Sequence, residues 1–295
     1  MGYCYYGRHF YFFKIDKTTT GLNSFKMKMI TKYFCIIIIL TFYLNFAATA
    51  QQKAKPDYGN LFSAGYAAGL IGGLYDAYYP YNKLKQHGDF GLGAPAKLDG
   101  ELTMLHGKFY QTQFTGKTTL MGDTGKTPYA AVCFFHANKV FKPWKQLNKA
   151  ALFHYLDSVL TNQNGMYAIH IVGSFSYVKT RAFPPVHQKP YLPLAAMLDK
   201  QHFFEFRTIN GDLVGYRLPA FTEGSMISGY HFHFLSDSKD KGGHMIDLTA
   251  DNITIEVDAL TSYTIDLPQT NDFKNFDFRK DRKEEIKSVE NGKKP

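Results

Sequence analysis

Residues 229–248 read GYHFHFLSDSKDKGGHMIDL and hold three of the chain's eleven histidines within fourteen residues. In a β-strand, residues i and i+2 point to the same face, about 6.5–7 Å apart along the chain. His231 and His233 then share one face, with Phe232 and Phe234 on the other. The loop LSDSKDKGG can turn the chain back, and Gly242-Gly243 relaxes the backbone just before His244. The stretch therefore predicts a β-hairpin. Its three imidazoles could converge on one ion at the ~2.0–2.1 Å of a Zn–N bond, with one position left open, as catalytic sites require. A half-buried hairpin whose imidazoles have no chemical role carries the same spacing. Asp237, Asp240 and Asp247 read as loop solvation, or as a carboxylate that orients a ligand imidazole. Spacing alone reaches a metal site of unspecified chemistry.

Outward from the hairpin, FFEFRTINGDLVGYRLP (203–219) and NITIEVDALTSYTIDLP (252–268) continue a run of short strands that suits a small barrel or sandwich. FPPVHQKPYLPL (183–194) carries four prolines, which excludes regular structure and marks a boundary between two lobes. Before it, MYAIHIVGSFSYVKTRAF (166–183) is strand-like on both sides of Gly173, with Phe175, Tyr177, Lys179 and Arg181 on one face by the period of two. PWKQLNKAALFHYLDSVL (143–160) is the clearest amphipathic helix, and PYAAVCFF (128–135) a buried strand. KLDGELTMLHGKFYQTQ (97–113) signals a hairpin turned at His106-Gly107, with Glu101, Thr103 and Leu105 on one face. HGDFGLG (87–93) has the wrong glycine order for a dinucleotide fingerprint and reads as a turn-rich loop. Residues 60–86 read as short helical or irregular pieces, and the tail FRKDRKEEIKSVENGKKP (278–295) mixes charges at helical spacing. The expected class is α+β and two-lobed. A mixed-sheet lobe spans 51–190, and a small β-barrel lobe with the metal site spans 191–295.

Residues 1–50 stand apart. Lys28 and Lys32 precede an apolar run from Tyr33 to Phe46, which ends in Ala48-Thr49-Ala50. That is the layout of a secretory signal peptide over 27–50, cleaved after Ala50, and the run is short for a membrane anchor. Translation from Met27 or Met29 would make 1–26 an upstream extension. Export to a periplasm or the medium is the expectation, without a stable membrane anchor. Six of the 34 Lys/Arg and one of the 25 Asp/Glu lie in 1–50, leaving 28 and 24, so the net charge falls from +9 to +4. Nucleic-acid binding thereby loses its support in overall charge. Cys4 and Cys35 leave with the leader, and the remaining Cys133 cannot form an internal disulfide.

In this order, HGDFGLG, LDGEL, KTPYAAV, KTRAFPP with QKPYLPL, and finally GYHFHFLSDSKDKGGHMIDL resemble the blocks of the alpha-acetolactate decarboxylases. The resemblance covers roughly residues 60–290. It implies a Zn²⁺ carboxy-lyase that converts 2-acetolactate to acetoin and CO₂. It also implies a mixed sheet, a small barrel carrying the metal, and a homodimer formed through the sheet. Matched residue by residue, His231, His233 and His244 stand at the zinc ligands. Glu101 stands at a functional glutamate, Arg181 at the active-site arginine, and Glu290 at a late glutamate that folds back toward the metal. Where the family usually has threonine after GDFGLG, this chain has Ala94. In such chemistry Zn²⁺ would serve as Lewis acid for an enediolate, Arg181 would hold a carboxylate, and Glu101 or Glu290 would manage the final proton. Two other readings are a zinc-dependent hydrolase and a non-catalytic metal-binding module. The chain lacks His-Glu-x-x-His and Gly-x-Ser-x-Gly, and simple binding does not call for Glu101 and Arg181.

Overall fold

The computed structural model describes residues 27–39 and 56–292, which belong to two compact units, Met1–Lys55 and Pro56–Pro295. In the first unit residues 27–39 are helical. The expected cleavage after Ala50 and the extension 1–26 lie outside the described residues. Among the described residues no helix is long and apolar enough to cross a membrane.

The second unit is α+β and mostly sheet. Its principal strands are β1 (Asn60–Ala64), β2 (Phe90–Ala94), β3 (Glu101–Leu105), β4 (Lys108–Thr112), β5 (Thr118–Leu120), β6 (Tyr129–Cys133), β7 (Met166–Ala182), β8 (His202–Leu218), β9 (Gly229–Ser236), β10 (Gly242–Leu260) and β11 (Ser262–Asp266). The first sheet runs β11-β1-β6-β2-β3-β4-β5. It is mixed, because β1 pairs parallel with β11 while its other neighbours are antiparallel. The second runs β10-β7-β8-β9, and Leu147–Asn148 and Lys139–Phe141 add to β10. β9 also meets the start of β10 through His233↔His244, Phe234↔Gly243 and Leu235↔Gly242. That is the hairpin expected around the histidines.

The sheets do not divide at 190/191. β7, before the proline-rich segment, pairs with β8, after it, from Tyr167↔Arg217 to Ala182↔His202. β11, from the C-terminal half, joins the first sheet beside β1. Prolines break the local ladder but leave long strands on either side free to pair. The sheets share a core in which Phe90, Leu92 and Ala131 meet Ala168, Val214 and Leu235. A second core lies on the other face of β7–β10, where Phe232 and Phe234 pack with Leu152 and Leu156 of the helix Lys149–Val159. Asn148 caps that helix by accepting from the Ala151 amide at 2.9 Å.

Two local expectations fail for identifiable reasons. HGDFGLG is not a loop, since Phe90–Ala94 is a fully buried strand between β6 and β3. A Cβ at Gly91 would lie 2.1 Å from the Ala131 carbonyl oxygen, and one at Gly93 would lie 2.4 Å from that of Tyr129. These glycines permit close approach of a neighbouring strand rather than a turn. On β7, Phe175 does not share a face with Tyr177. It packs in the same core as Val178, because the register slips between Phe175 and Tyr177. By contrast β3 and β4 form the expected hairpin, with His106 and Gly107 both at positive φ, 50° and 72°. The tail is helical over Lys283–Glu290 and buries Ile286 and Val289.

Candidate metal centre and active site

β9 aims His231 and His233 to the side opposite Phe232 and Phe234, as the period of two requires. β10 brings His244 directly across from His233. All three are buried, and one ring nitrogen from each lies within 4.8 Å of the others. His231 Nε2 and His244 Nδ1 are 3.2 Å apart, close to the ~3.3 Å edge between two ligands of one tetrahedral ion with bonds of ~2.0–2.1 Å. Carbonyl oxygens settle two tautomers, because they can only accept. His233 donates from Nδ1 to Leu102 O at 2.9 Å, leaving Nε2 for a metal. His244 donates from Nε2 to Glu290 O at 3.2 Å, leaving Nδ1. Burial, reinforced by the Arg181 charge, pushes the His233 imidazole down to about 3. Burial, with the nearby charges, also holds His231 and His244 well below the usual range. Three neutral imidazoles are what a divalent cation needs.

The residues expected from distant parts of the chain meet this cluster. Arg181 pairs across β7 and β10 with His244, so one register places both. Its Nη1 donates to Glu101 Oε1 and its Nη2 to Val289 O at 3.3 Å. Glu101, at the start of β3, turns its other oxygen to within 3.4 Å of His233 Nε2. The C-terminal helix brings Glu290 Oε2 to 3.7 Å from His231 Nε2 and 3.8 Å from His244 Nε2. That oxygen is buried without a hydrogen-bond partner, as is Arg181 Nε. A buried carboxylate oxygen with no donor beside three neutral imidazoles fits a cation held among them. Burial raises Glu101 to about 7 against the pull of Arg181, and raises Glu290 to about 8.

These groups line a small cavity of about 30 Å³, walled also by Leu70, Phe183, Leu194 and Ile227. Ala94 is on that wall, so the hydroxyl expected of a threonine is missing from the cavity itself. Sequence reading missed three contributors. The Leu102 and Val289 carbonyls carry no side-chain signal. Phe183, whose ring lies 4.9 Å below the Arg181 guanidinium, was hidden in a segment read only for its prolines.

Known proteins resemble the chain over most of its length. The alpha-acetolactate decarboxylase family profile matches residues 61–280. The alpha-acetolactate decarboxylase of Methanosarcina mazei is 35% identical over 244 residues, 81% of this chain and 84% of the relative. That of Bacillus subtilis strain 168 is 31% identical over 235 residues, 78% and 91% of the two chains. The crystal structure of the enzyme from that strain superposes with a TM-score of 0.76 at 29% identity, covering 78% of this chain and 99% of that one. The family profile and the relatives define a carboxy-lyase, an enzyme that releases CO₂ by breaking a carbon–carbon bond. The chain belongs to the alpha-acetolactate decarboxylase family.

Proposed function

We propose that the protein converts 2-acetolactate to acetoin and CO₂ with zinc held by His231, His233 and His244. The observation that carries this reading is the convergence of three neutral imidazole nitrogens beside the unpartnered Glu290 Oε2. Bound there by the three histidines, zinc would supply a Lewis acid for negative charge developing on the substrate's keto oxygen. Arg181, fixed by Glu101 and Val289 O, presents Nε and the rest of its guanidinium to the substrate carboxylate. Its positive charge would offset negative charge that develops on the substrate. Glu101 and Glu290, raised toward neutral pH by burial, can each hold a proton and deliver it to carbon to complete acetoin. The apolar wall of Leu70, Phe183 and Ile227 excludes water from that transfer.

The same reading extends to the setting. The signal-peptide layout of 27–50 supports export, and purified mature protein beginning at Gln51 would confirm it. The resemblance supports a homodimer, and the return of β9 onto β10 supports describing the second sheet as a small barrel.

The mature protein, loaded with zinc and given 2-acetolactate, should release acetoin and CO₂ well above the spontaneous rate. Release at the spontaneous rate refutes the reading. His233→Ala should lose both metal and activity. Arg181→Ala should keep the metal and lose turnover by about 10²-fold or more.

A further inference from the structure

The site cavity of about 30 Å³ has room for little more than one water, and 2-acetolactate is several times larger. A wall must therefore move for substrate to arrive. Most of the wall is sheet strand or tightly packed apolar cluster. The exception is Glu290, the last residue of the C-terminal helix. Glu290 and His244 line that cavity and also a neighbouring cleft of about 550 Å³. That cleft passes over Asn148, Lys149 and Ala150, with Phe153, Tyr230 and Phe232 as its apolar floor. It shares Lys149, Asp247 and Asn291 with a neighbouring open recess of about 760 Å³, so the two make one trough along the helix.

The charged groups of the trough, besides Glu290, are Lys149, Lys179, Lys287, Asp247 and Glu284. Lys179 is committed to Glu205 at 3.2 Å. Lys149 donates to the Ile246 carbonyl at 2.8 Å, which sets its ammonium two residues along β10 from His244. Three hydrogen bonds to backbone carbonyls tie the partition to its neighbours. Arg181 Nη2 bonds Val289 O at 3.3 Å, His244 Nε2 bonds Glu290 O at 3.2 Å, and Gln201 Nε2 bonds Gly292 O at 3.0 Å. The helix ends at Glu290 with Asn291 as its cap, and a last turn is where helices open most easily.

We propose that substrate enters through the cleft at Lys149, that the Lys149 ammonium binds the substrate carboxylate at its mouth, and that the Glu290 end of the C-terminal helix is the partition that moves to admit it. This rests on the acetolactate reading above. Lys149 does not line the site cavity, so it is a positioning residue. Its charge acts on the approach of an anion and not on the chemical step.

Steady-state kinetics of the zinc-loaded protein, at low and high ionic strength, tests the route. Lys149→Ala should lower kcat/KM about tenfold, and Lys149→Glu further. In both, kcat should stay within about twofold and zinc content should be unchanged. Lys149→Arg should restore kcat/KM, and the salt dependence of kcat/KM in the parent should shrink in Lys149→Ala. Ala150→Trp, which adds bulk at an exposed position of the cleft, should also lower kcat/KM. If neither Lys149→Ala nor Ala150→Trp changes kcat/KM in an active parent, the route is wrong while the function stands. A fall in kcat at constant KM would put Lys149 in the chemistry and overturn its role. A parent inactive on 2-acetolactate overturns function and route together.

Discussion

Glu290 reaches the site from the far end of the chain, and burial gives it an unusual charge state. Its carboxyl is raised to about 8, and that of Glu101 to about 7, against about 4.3 for a free glutamate. In the metal-free protein the folded state therefore binds more protons than the unfolded chain between those values. By linkage these groups stabilise the fold at low pH, and the contribution is lost as pH rises through the folded values. The three histidines act with the opposite sign. Their folded values are depressed, so they favour the fold above about 6.5 and oppose it below. Between pH 7 and 8 free imidazoles and these three are largely neutral, which leaves the carboxyl slope and, with the same sign, that of His170, raised against its burial by hydrogen bonds to Asp212 and Glu256. Thermal melts of the metal-free protein should show Tm falling over that interval, and Glu290→Gln should flatten the fall. Equal slopes in the two proteins would contradict the raised value at Glu290.

At the scale of elements, the C-terminal helix is anchored by two apolar residues. Its sequence, KEEIKSVE, is polar except where Ile286 and Val289 enter a cluster with Leu70, Tyr75 and Leu198. Ile286→Ala removes buried methyls and should cost the helix's docking about 2–4 kcal/mol. Amide hydrogen exchange over 283–292 should accelerate strongly, while β7 and β10 stay protected. Unchanged exchange in that helix would show that Ile286 does not secure it. Strands with alternating or buried apolar residues, such as β6 and the β3–β4 hairpin, were legible because the pleat writes itself into the sequence. β2 was not, since its glycines answer to the backbone of β6 across the sheet. Phe175 was misplaced because a bulge depends on two strands, and only one can be read at a time.

Over the whole second unit, chain order and sheet order are interleaved. β11 returns to the first sheet after the chain has built the second, and Phe90, Leu92 and Leu235 lie in one core shared by both. Neither sheet can lose its packing while the other keeps its own. Thermal unfolding of 56–292 followed by near-UV and far-UV circular dichroism should therefore give one coincident transition. Leu235→Ala, at a fully buried position of that shared core, should move the two signals together, at a cost of about 2–5 kcal/mol. Two separated transitions would mean that the sheets are independent domains.

Local patterns in the chain determined which side chains share a face. His231 and His233 are paired by the covalent pleat of one strand, and the glycines before His244 allow its return. The blocks of family resemblance pointed to Glu101, Arg181 and Glu290. Only the tertiary structure decided that these three meet the histidines. Arg181 reaches them because one register sets it opposite His244. Glu101 reaches them because the first sheet packs β3 against β9, where Leu102 O holds His233. Glu290 arrives because two apolar residues seat a short helix. Register and docking are chosen by the summed burial of whole faces, a quantity that no single stretch of sequence contains.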